Sequence, residues 1–360
     1  MRFSYRGYIL SVLYFIGAAG LFVLIRFVGL ASVPAFATFD YDSLNHSSLF
    51  ARAVAVGWII GTIFYFVGQA LDTPTIRQRP YGALITIQAF SNLICVTLVL
   101  IGLSAFDILF EGQAISVSGF KARLLSINFF VILAYYTLVS FAFVMIKQID
   151  HKFGPGNLRK LVAGTFYHPR EIEMIVMFLD LKDSTIQAER LGHVQFGSLI
   201  QDCFTDMSVV TSFGAQFYQY VGDEAILLWD VADGLENGNC LQAYFEFSHR
   251  LQGRSDYYQA QYGVTPRFKA GLNIGFATVL EVGEIKREIA YLGDVLNTAS
   301  RIQGQCNAYR ENLLISEMLN QRLPSVSDRL EIDAIGKTEL RGRTEPVQLY
   351  RVRERLISDG

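Results

Sequence analysis

The sequence predicts a helical membrane domain followed by a globular domain of mixed α and β structure. Two observations carry this prediction. Apolar residues make up 51% of the 360-residue chain, which is a high share for a soluble protein, and the excess lies in four long apolar stretches near the N-terminus. Residues 148–360 are rich in charge, and their apolar residues recur in the short runs and helical spacings of a globular domain.

Each of the four apolar stretches is long enough to cross a bilayer, which takes about 20 residues. A cleaved signal peptide is the alternative for the first stretch, but that stretch is too long and three more follow it. We therefore predict an all-α transmembrane domain of four helices over residues 1–147. The expected spans are residues 7–30, 49–71, 81–106 and 124–147.

The positions of Lys and Arg predict the orientation of these spans. Basic residues precede the first span, separate the second from the third and follow the fourth, whereas the loop of residues 31–48 has none. Loops rich in Lys and Arg stay in the cytoplasm. Both termini and the charged C-terminal part are therefore expected to be cytoplasmic, in a multi-pass protein of the cell (inner) membrane that contacts membrane lipid.

A segment of residues 148–173 separates the last span from the globular domain, which is expected to cover residues 174–356. Gly154-Pro155-Gly156 is expected to break the helix that leaves the fourth span, and a short amphipathic piece follows at residues 157–163.

The globular domain is expected to alternate strands and helices, which from periodicity alone indicates mixed α and β structure. The predicted elements are a strand at 174–181, a helix at 184–212, a hairpin at 216–229, a helix at about 236–253, a second hairpin at 267–292 and a helix at 295–307.

Composition argues against two other classes of function. The net charge of −2 comes without a basic stripe, so nucleic acid is not an expected partner. The cysteines are scattered without CxxC spacing, so neither a disulfide framework nor a zinc site is expected. They are Cys95, Cys203, Cys240 and Cys306.

Two aspartates at the ends of apolar runs are the candidate metal ligands. Asp180 closes the run MIVMFLDL, and Asp223 lies in the Gly-Asp turn of the first predicted hairpin. Two carboxylates can hold two Mg²⁺ ions on the phosphates of a nucleoside triphosphate, and the carbonyl of Leu181 can also reach a metal. A helix N-cap and an ordinary hairpin turn are the structural alternatives. Glu224, next to Asp223, is expected to point to the opposite face of the strand, so it is not among the candidate metal ligands.

Asn297 and Arg301 lie one helical turn apart and therefore share a face of the last predicted helix. An amide and a guanidinium placed together can meet the charge that develops on a phosphate under attack. A solvated polar face is the structural alternative.

Four motifs around these residues resemble the catalytic domain of class III nucleotidyl cyclases, the adenylate and guanylate cyclases. They occur in the family's order over residues 154–353, and the resemblance implies an α+β ferredoxin-like catalytic domain. Residues 148–173 then match the position of a short transducing element, with a plain linker as the alternative. The motifs are FLDLKDST (178–185), YQYVGDEA (218–225), YLGDVLNTASRIQ (291–303) and ELRGRTEPVQLYRV (339–352).

The resemblance also implies roles for individual residues. Asp180 and Asp223 would bind two Mg²⁺ (or Mn²⁺), Asn297 would orient the ribose, and Arg301 would stabilise charge on the phosphate.

Further phosphate contacts are implied at two places. Arg341 stands where the family usually has Lys, and it adds a bidentate fork to the positive charge. The family also places a phosphate-binding basic residue in the second hairpin, where either Lys286 or Arg287 can serve. A solvated hairpin is the alternative for both.

The two base-reading positions depart from the family pattern. Where many adenylate cyclases carry Lys and Asp or Thr, this chain has Gln219 and Ala290. A glutamine amide both donates and accepts, so it can contact adenine or guanine. Ala290 has no polar side-chain atom, so the base edge there would be read by backbone groups or by a neighbour such as Tyr291.

Together these features predict a membrane-bound adenylate cyclase that converts ATP to 3′,5′-cyclic AMP and pyrophosphate at a homodimer interface. The resemblance implies sites shared between two catalytic domains, with the metal aspartates from one and the Asn, Arg and C-terminal basic residue from the other. A homodimer is expected because this chain has one copy of each set. A guanylate or pyrimidine nucleotide cyclase, acting on GTP or another nucleoside triphosphate, is one alternative. A membrane sensor with an inactive, regulatory cyclase-like domain is another.

Overall fold

The computed structural model describes residues 5–29, 46–71, 73, 80–110, 117–154, 157–324, 329–338 and 346–355. The chain divides into two compact units, Met1–Lys152 and Phe153–Gly360. The first unit is helical, and the second is built on a sheet.

Four long apolar helices dominate the described residues of the first unit. Each contains a stretch of 20 to 24 residues that is apolar enough to cross a membrane, which confirms the predicted spans as long apolar helices. The helices are α1 (Tyr5–Val23, continued by a π-helical turn at Leu24–Gly29), α2 (His46–Leu71), α3 (Tyr81–Phe110), the short α4 (Val117–Leu124) and α5 (Ile127–Phe153).

Two glycines allow α1 and α2 to pack closely. A Cβ atom at Gly57 would lie 2.6 Å from Ile16 Cα, and one at Gly61 would lie 2.7 Å from Val12 Cα. The Ser11 hydroxyl donates a hydrogen bond to the Gly61 carbonyl at 2.9 Å. Small residues four positions apart let helix backbones approach within a membrane, so this pair fixes one helix contact of the bundle.

The described part of the second unit forms one eight-stranded sheet. Its order is β2-β3-β1-β4-β6-β8-β7, with β5 paired to β4, and its first four strands have the ferredoxin-like order. Neighbouring strands are antiparallel except for β4 and β6. The strands are β1 (Arg170–Leu181), β2 (Gln216–Val221), β3 (Glu224–Asp230), β4 (Phe268–Val282), β5 (Glu288–Leu292), β6 (Leu313–Ser316), β7 (Leu330–Thr338) and β8 (Val347–Glu354).

Helices cover both faces of this sheet. Those of the second unit are α6 (Asn157–Val162), α7 (Ser184–Asp206), α8 (Val231–Leu235), α9 (Asn239–Gly253), α10 (Ser255–Tyr262), α11 (Asp294–Tyr309) and α12 (Glu317–Arg322). Helices α7, α9 and α10 pack on the face that carries Leu179 and Leu227. Helix α11 packs on the opposite face, where Phe178 and Ile226 meet Val295. We call this second side of the sheet the α11 face.

The predicted fold class, four apolar helices followed by an α+β domain, is confirmed. Individual boundaries differ. Strand β1 begins at Arg170, four residues before its predicted start. The helix predicted at 184–212 ends at Asp206 and continues as a 3₁₀ helix, Met207–Phe213. Helix α5 ends at Phe153 beside Gly154, and a short helix follows at Asn157–Val162.

Helix α11 approaches β4 closely at Gly271. A Cβ atom there would lie 2.2 Å from the backbone nitrogen of Gln303 and 2.6 Å from the carbonyl oxygen of Ala299. We therefore expect Gly271→Ala to destabilise the full-length protein by about 1–3 kcal/mol, because a packed backbone must move to admit the methyl group.

The thermal midpoint of the detergent-purified protein tests this expectation. Gly304→Ala on α11 is the matched control, because a Cβ atom at Gly304 meets nothing within 4 Å. An unchanged midpoint for Gly271→Ala would show that the helix is not held by this contact.

Candidate active site

Asp180 and Asp223 lie at one end of the central strands. Asp180 is the second-last residue of β1 and pairs with Glu224 of β3 and Lys269 of β4. Side-chain alternation along β1 puts Asp180 on the α11 face, together with Phe178. Asp223 lies in the two-residue turn between β2 and β3, after Gly222, whose φ of 64° is in the left-handed region.

The two aspartate carboxyls form an electrostatically unusual pair. Burial raises the pKa of Asp180, Lys269 opposes this effect, and the neighbouring Asp223 raises the pKa further. Oδ2 of Asp223 is buried and has no hydrogen-bond partner in the described part of the chain. A buried carboxylate oxygen without a partner is costly unless a cation neutralises it, so the pair fits a divalent metal ion.

The predicted direction of the Glu224 side chain was wrong. Its register opposite Asp180 puts its side chain on the same face of the sheet as Asp180. Burial raises the pKa of Glu224 to about 7, and the carboxylates of Asp180 and Asp223 add to that effect. Glu224 is therefore a third acidic group on the side of the sheet where the two aspartates meet.

Leu181 can take part only through its backbone. Its side chain is buried in the core on the opposite side of the sheet from Asp180, which leaves the carbonyl oxygen as its possible ligand. Among the residues described, no group of three or more His, Cys, Asp or Glu side chains is arranged to hold a metal ion. A metal at this site would therefore rely on two side-chain carboxylates and on oxygens from other sources.

Helix α11 presents different residues on its two sides. Thr298, Ile302 and Gln303 are buried against the sheet. Asn297 is exposed and Arg301 is half-buried, so the predicted pair lies on the outward side of the helix. In the described structure neither side chain makes a hydrogen bond or an ion pair, so both can contact another molecule.

The residues next to the predicted base-reading positions are in contact. The rings of Tyr218 and Tyr291 meet edge to face with centroids 5.0 Å apart. Gln219, next to Tyr218, is exposed and pairs with Ile226, which puts it on the α11 face. Ala290 pairs with Leu280, so alternation directs its methyl group to the opposite face from Tyr291. The base-reading role of both positions stays a prediction.

The basic residues of the second hairpin are paired with acidic neighbours. Lys286 forms an ion pair with Glu288, and its side chain is 82% exposed. Arg287 lies 3.7 Å from Glu281. Arg341, the remaining candidate phosphate contact, lies outside the described residues.

Two residues of the site were missed by sequence reasoning. Lys269 Nζ lies 3.1 Å from Asp180 Oδ2, and Gln303 Nε2 donates to the same oxygen at 3.1 Å. Lys269 is one of two charged residues in the largely apolar strand β4, with Glu281, and nothing near it in the sequence indicates its contact with Asp180. Gln303 is the last residue of the third motif, YLGDVLNTASRIQ (291–303), two residues after Arg301, but nothing local indicates that it faces the sheet.

Comparisons with known proteins agree with this fold. A family model for the adenylate and guanylate cyclase catalytic domain matches residues 166–353, which is more than half of the chain. Adenylate cyclase 2 of Rhizobium meliloti (strain 1021) is 30% identical over 224 residues, which are 62% of this chain and 60% of that protein. An adenylate cyclase of Anabaena cylindrica is 29% identical over 225 residues, 60% of this chain and 43% of that protein.

The chain thus spans about 60% or less of the length of these two relatives. Among solved structures, a bacterial light-regulated adenylyl cyclase aligns with a TM-score of 0.53 at 14% identity, covering 64% of this chain and 67% of that one. At this level of identity the likeness establishes the fold of the second unit.

Proposed function

This chain belongs to the family of adenylate and guanylate cyclase catalytic domains, and from that membership we propose that it is a membrane-bound adenylate cyclase. It converts ATP to 3′,5′-cyclic AMP and pyrophosphate. The observation that carries the proposal is the carboxylate pair, Asp180 and Asp223, which includes a buried oxygen without a partner. Such a pair suits an enzyme that binds its triphosphate together with divalent metal ions.

The residues present fit two Mg²⁺ or Mn²⁺ ions. Asp180 and Asp223 would hold them, with the carbonyl of Leu181 as a further oxygen ligand. When bound, the ions supply positive charge that acidifies the attacking hydroxyl and screens the leaving pyrophosphate.

The reaction is an in-line attack of the ribose 3′-oxygen on the α-phosphorus. The bond from O3′ to Pα forms while the bond from Pα to the pyrophosphate oxygen breaks, and the 3′-hydroxyl proton leaves to solvent. Asn297 orients the ribose, Arg301 and Arg341 hold the charge on the phosphates, and Lys286 or Arg287 adds a phosphate contact. Catalysis then rests on positioning and electrostatic stabilisation.

The active enzyme is a homodimer whose sites are shared between the chains. The outward position of Asn297 and Arg301 on α11, without a described partner in their own chain, supports this arrangement. Each site would combine Asp180 and Asp223 of one chain with the outward residues of α11 of the other, and a two-fold axis makes two such sites.

The first unit anchors the enzyme in the cell membrane, with both termini in the cytoplasm. Large apolar side chains on the outside of its helices support this placement, since such side chains suit a lipid surface. They include Trp58, Phe90, Leu98 and Leu138. Recovery in the membrane fraction, with release only by detergent, tests this placement.

The proposed activity is tested by assaying the purified full-length protein with ATP, GTP, CTP and UTP, each with Mg²⁺ and with Mn²⁺. We expect ATP to be cyclised fastest. Preferential cyclisation of GTP or of a pyrimidine nucleotide would replace adenylate cyclase by one of the alternatives. Absence of product with all four would favour the inactive membrane sensor.

Base preference is expected to depend on Gln219. Adenine accepts at N1, whereas guanine donates there, so Gln219→Lys should favour ATP and Gln219→Glu should favour GTP. We expect each change to move the ratio of kcat/KM for ATP and GTP by about tenfold, in opposite directions, which is the effect of about 1.4 kcal/mol of differential binding.

Gln216→Lys and Gln216→Glu, at the start of the same strand, are the controls and should leave this ratio unchanged. A ratio that stays constant in both Gln219 variants would show that the base is read elsewhere. In that case Tyr291, whose ring contacts Tyr218, becomes the next position to test.

A further inference from the structure

Both described donors to the Asp180 carboxylate reach the same oxygen atom. Gln303 Nε2 donates to Oδ2 at 3.1 Å, and Lys269 Nζ lies 3.1 Å from the same Oδ2. Neither donor is recorded at Oδ1. The carboxylate is thus held through one oxygen, which leaves Oδ1 for another ligand.

The two donors differ in what they do when a cation binds. The ammonium of Lys269 repels a nearby divalent cation, so its contact with the ligand oxygen weakens as the metal arrives. The amide of Gln303 has no net charge, so it can hold Oδ2 whether or not a metal is present. Gln303 is therefore the donor suited to the loaded site.

The position of Gln303 is itself fixed by packing. The residue is only 7% exposed, and its backbone nitrogen would lie 2.2 Å from a Cβ atom at Gly271. The close approach of α11 to β4 at this glycine brings the amide to Asp180. A buried side chain between a helix and a strand has few alternative rotamers, so the donor is preorganised.

We propose that Gln303 is a positioning residue, whose amide orients the Asp180 carboxylate so that its other oxygen binds the metal ion. This inference rests on the proposed function, because it assigns Asp180 as a metal ligand. It also gives α11 two tasks in the proposed dimer. Its inward residue Gln303 orients the metal ligand of one site, while its outward residues Asn297 and Arg301 serve the other site.

The test compares Gln303→Met with the matched control Gln305→Met in the full-length protein in detergent. Gln305 is two residues further along α11, and its side chain has no hydrogen bond among the described residues. Binding of Mn²⁺ is followed by electron paramagnetic resonance, in the presence of the 3′-deoxy analogue of the triphosphate that the wild type cyclises, or of 3′-deoxy-ATP if it cyclises none. That analogue lacks the attacking oxygen, so binding is read without turnover.

We expect Gln303→Met to weaken Mn²⁺ binding by about 10- to 100-fold, as is typical when a residue that supports a metal ligand is lost. The Mg²⁺ concentration for half-maximal activity should rise with it. The thermal midpoint without metal and nucleotide should match that of the wild type, and Gln305→Met should change none of these quantities.

Three results would overturn the inference. The first is wild-type Mn²⁺ affinity in Gln303→Met, which would remove the role of Gln303 and leave the proposed function standing. The second applies if Gln303→Met does not fold. Gln303→Asn then carries the test, because it keeps a buried amide but withdraws it by one methylene group. Wild-type Mn²⁺ affinity in Gln303→Asn would likewise remove the role of Gln303. The third is a wild type that neither binds Mn²⁺ nor forms a cyclic nucleotide, which would refute the proposed function as well.

Discussion

Asp223→Ala is expected to abolish cyclisation, by at least about 1,000-fold, while the protein still folds. The loss follows because a carboxylate that holds a metal ion contributes several kcal/mol to the transition state, and each 1.4 kcal/mol is a factor of ten in rate. Folding should be unaffected or improved, since Oδ2 of Asp223 is buried without a partner and its removal relieves that cost. Asp180→Ala should lose activity to the same extent.

Activity and thermal midpoint are measured on the same purified full-length variants at saturating Mg²⁺. Asp230→Ala is the control, because Asp230 is an exposed carboxylate at the far end of β3; its activity should stay within about twofold of the wild type. Near-normal activity in either Asp180→Ala or Asp223→Ala would show that the metal ligands have been assigned wrongly.

The parts of the site that could be predicted are those with a local signal. Asp180 follows an apolar run, and Asp223 follows a glycine that favours a tight turn, so both strand ends can be located from neighbouring residues. Asn297 and Arg301 are four positions apart, and helical periodicity puts them on one face. The structure agrees on the helix and adds that this face is the outward one.

The error at Glu224 has a physical reason. The prediction counts the alternation of side-chain directions from Asp223 to Glu224. Asp223, however, lies in the turn, where Gly222 has a φ of 64°. Alternation holds within a strand and does not pass through a turn. Counted instead from the paired strand, Glu224 lies opposite Asp180.

Lys269 and Gln303 could not be predicted because their positions depend on long-range pairing. Lys269 reaches Asp180 through the register of β4 against β1, which no nearby residue reveals. Gln303 reaches Asp180 because α11 lies close to β4 at Gly271. A glycine in a strand is compatible with a bulge, a bend or a close approach, and only the folded structure distinguishes them.

The second large effect is expected from mixing two inactive chains. Asp180→Ala and Arg301→Ala should each be inactive alone, because the first lacks a metal ligand and the second lacks the guanidinium that meets the phosphate charge. In a heterodimer with shared sites, one site receives Asp180 from one chain and Arg301 from the other and is therefore intact. The second site carries both defects.

Co-expression of the two variants at equal levels should restore about one quarter of the wild-type activity, since half of randomly formed dimers are mixed and each has one intact site of two. Mixing Asp180→Ala with Asp223→Ala is the decisive control. Both defects then lie in the same half of the site, so no combination of chains is intact and activity should stay at background. If the first mixture is inactive although affinity tags show that mixed dimers form, each site is built from a single chain, and the outward position of Asn297 and Arg301 on α11 requires another explanation.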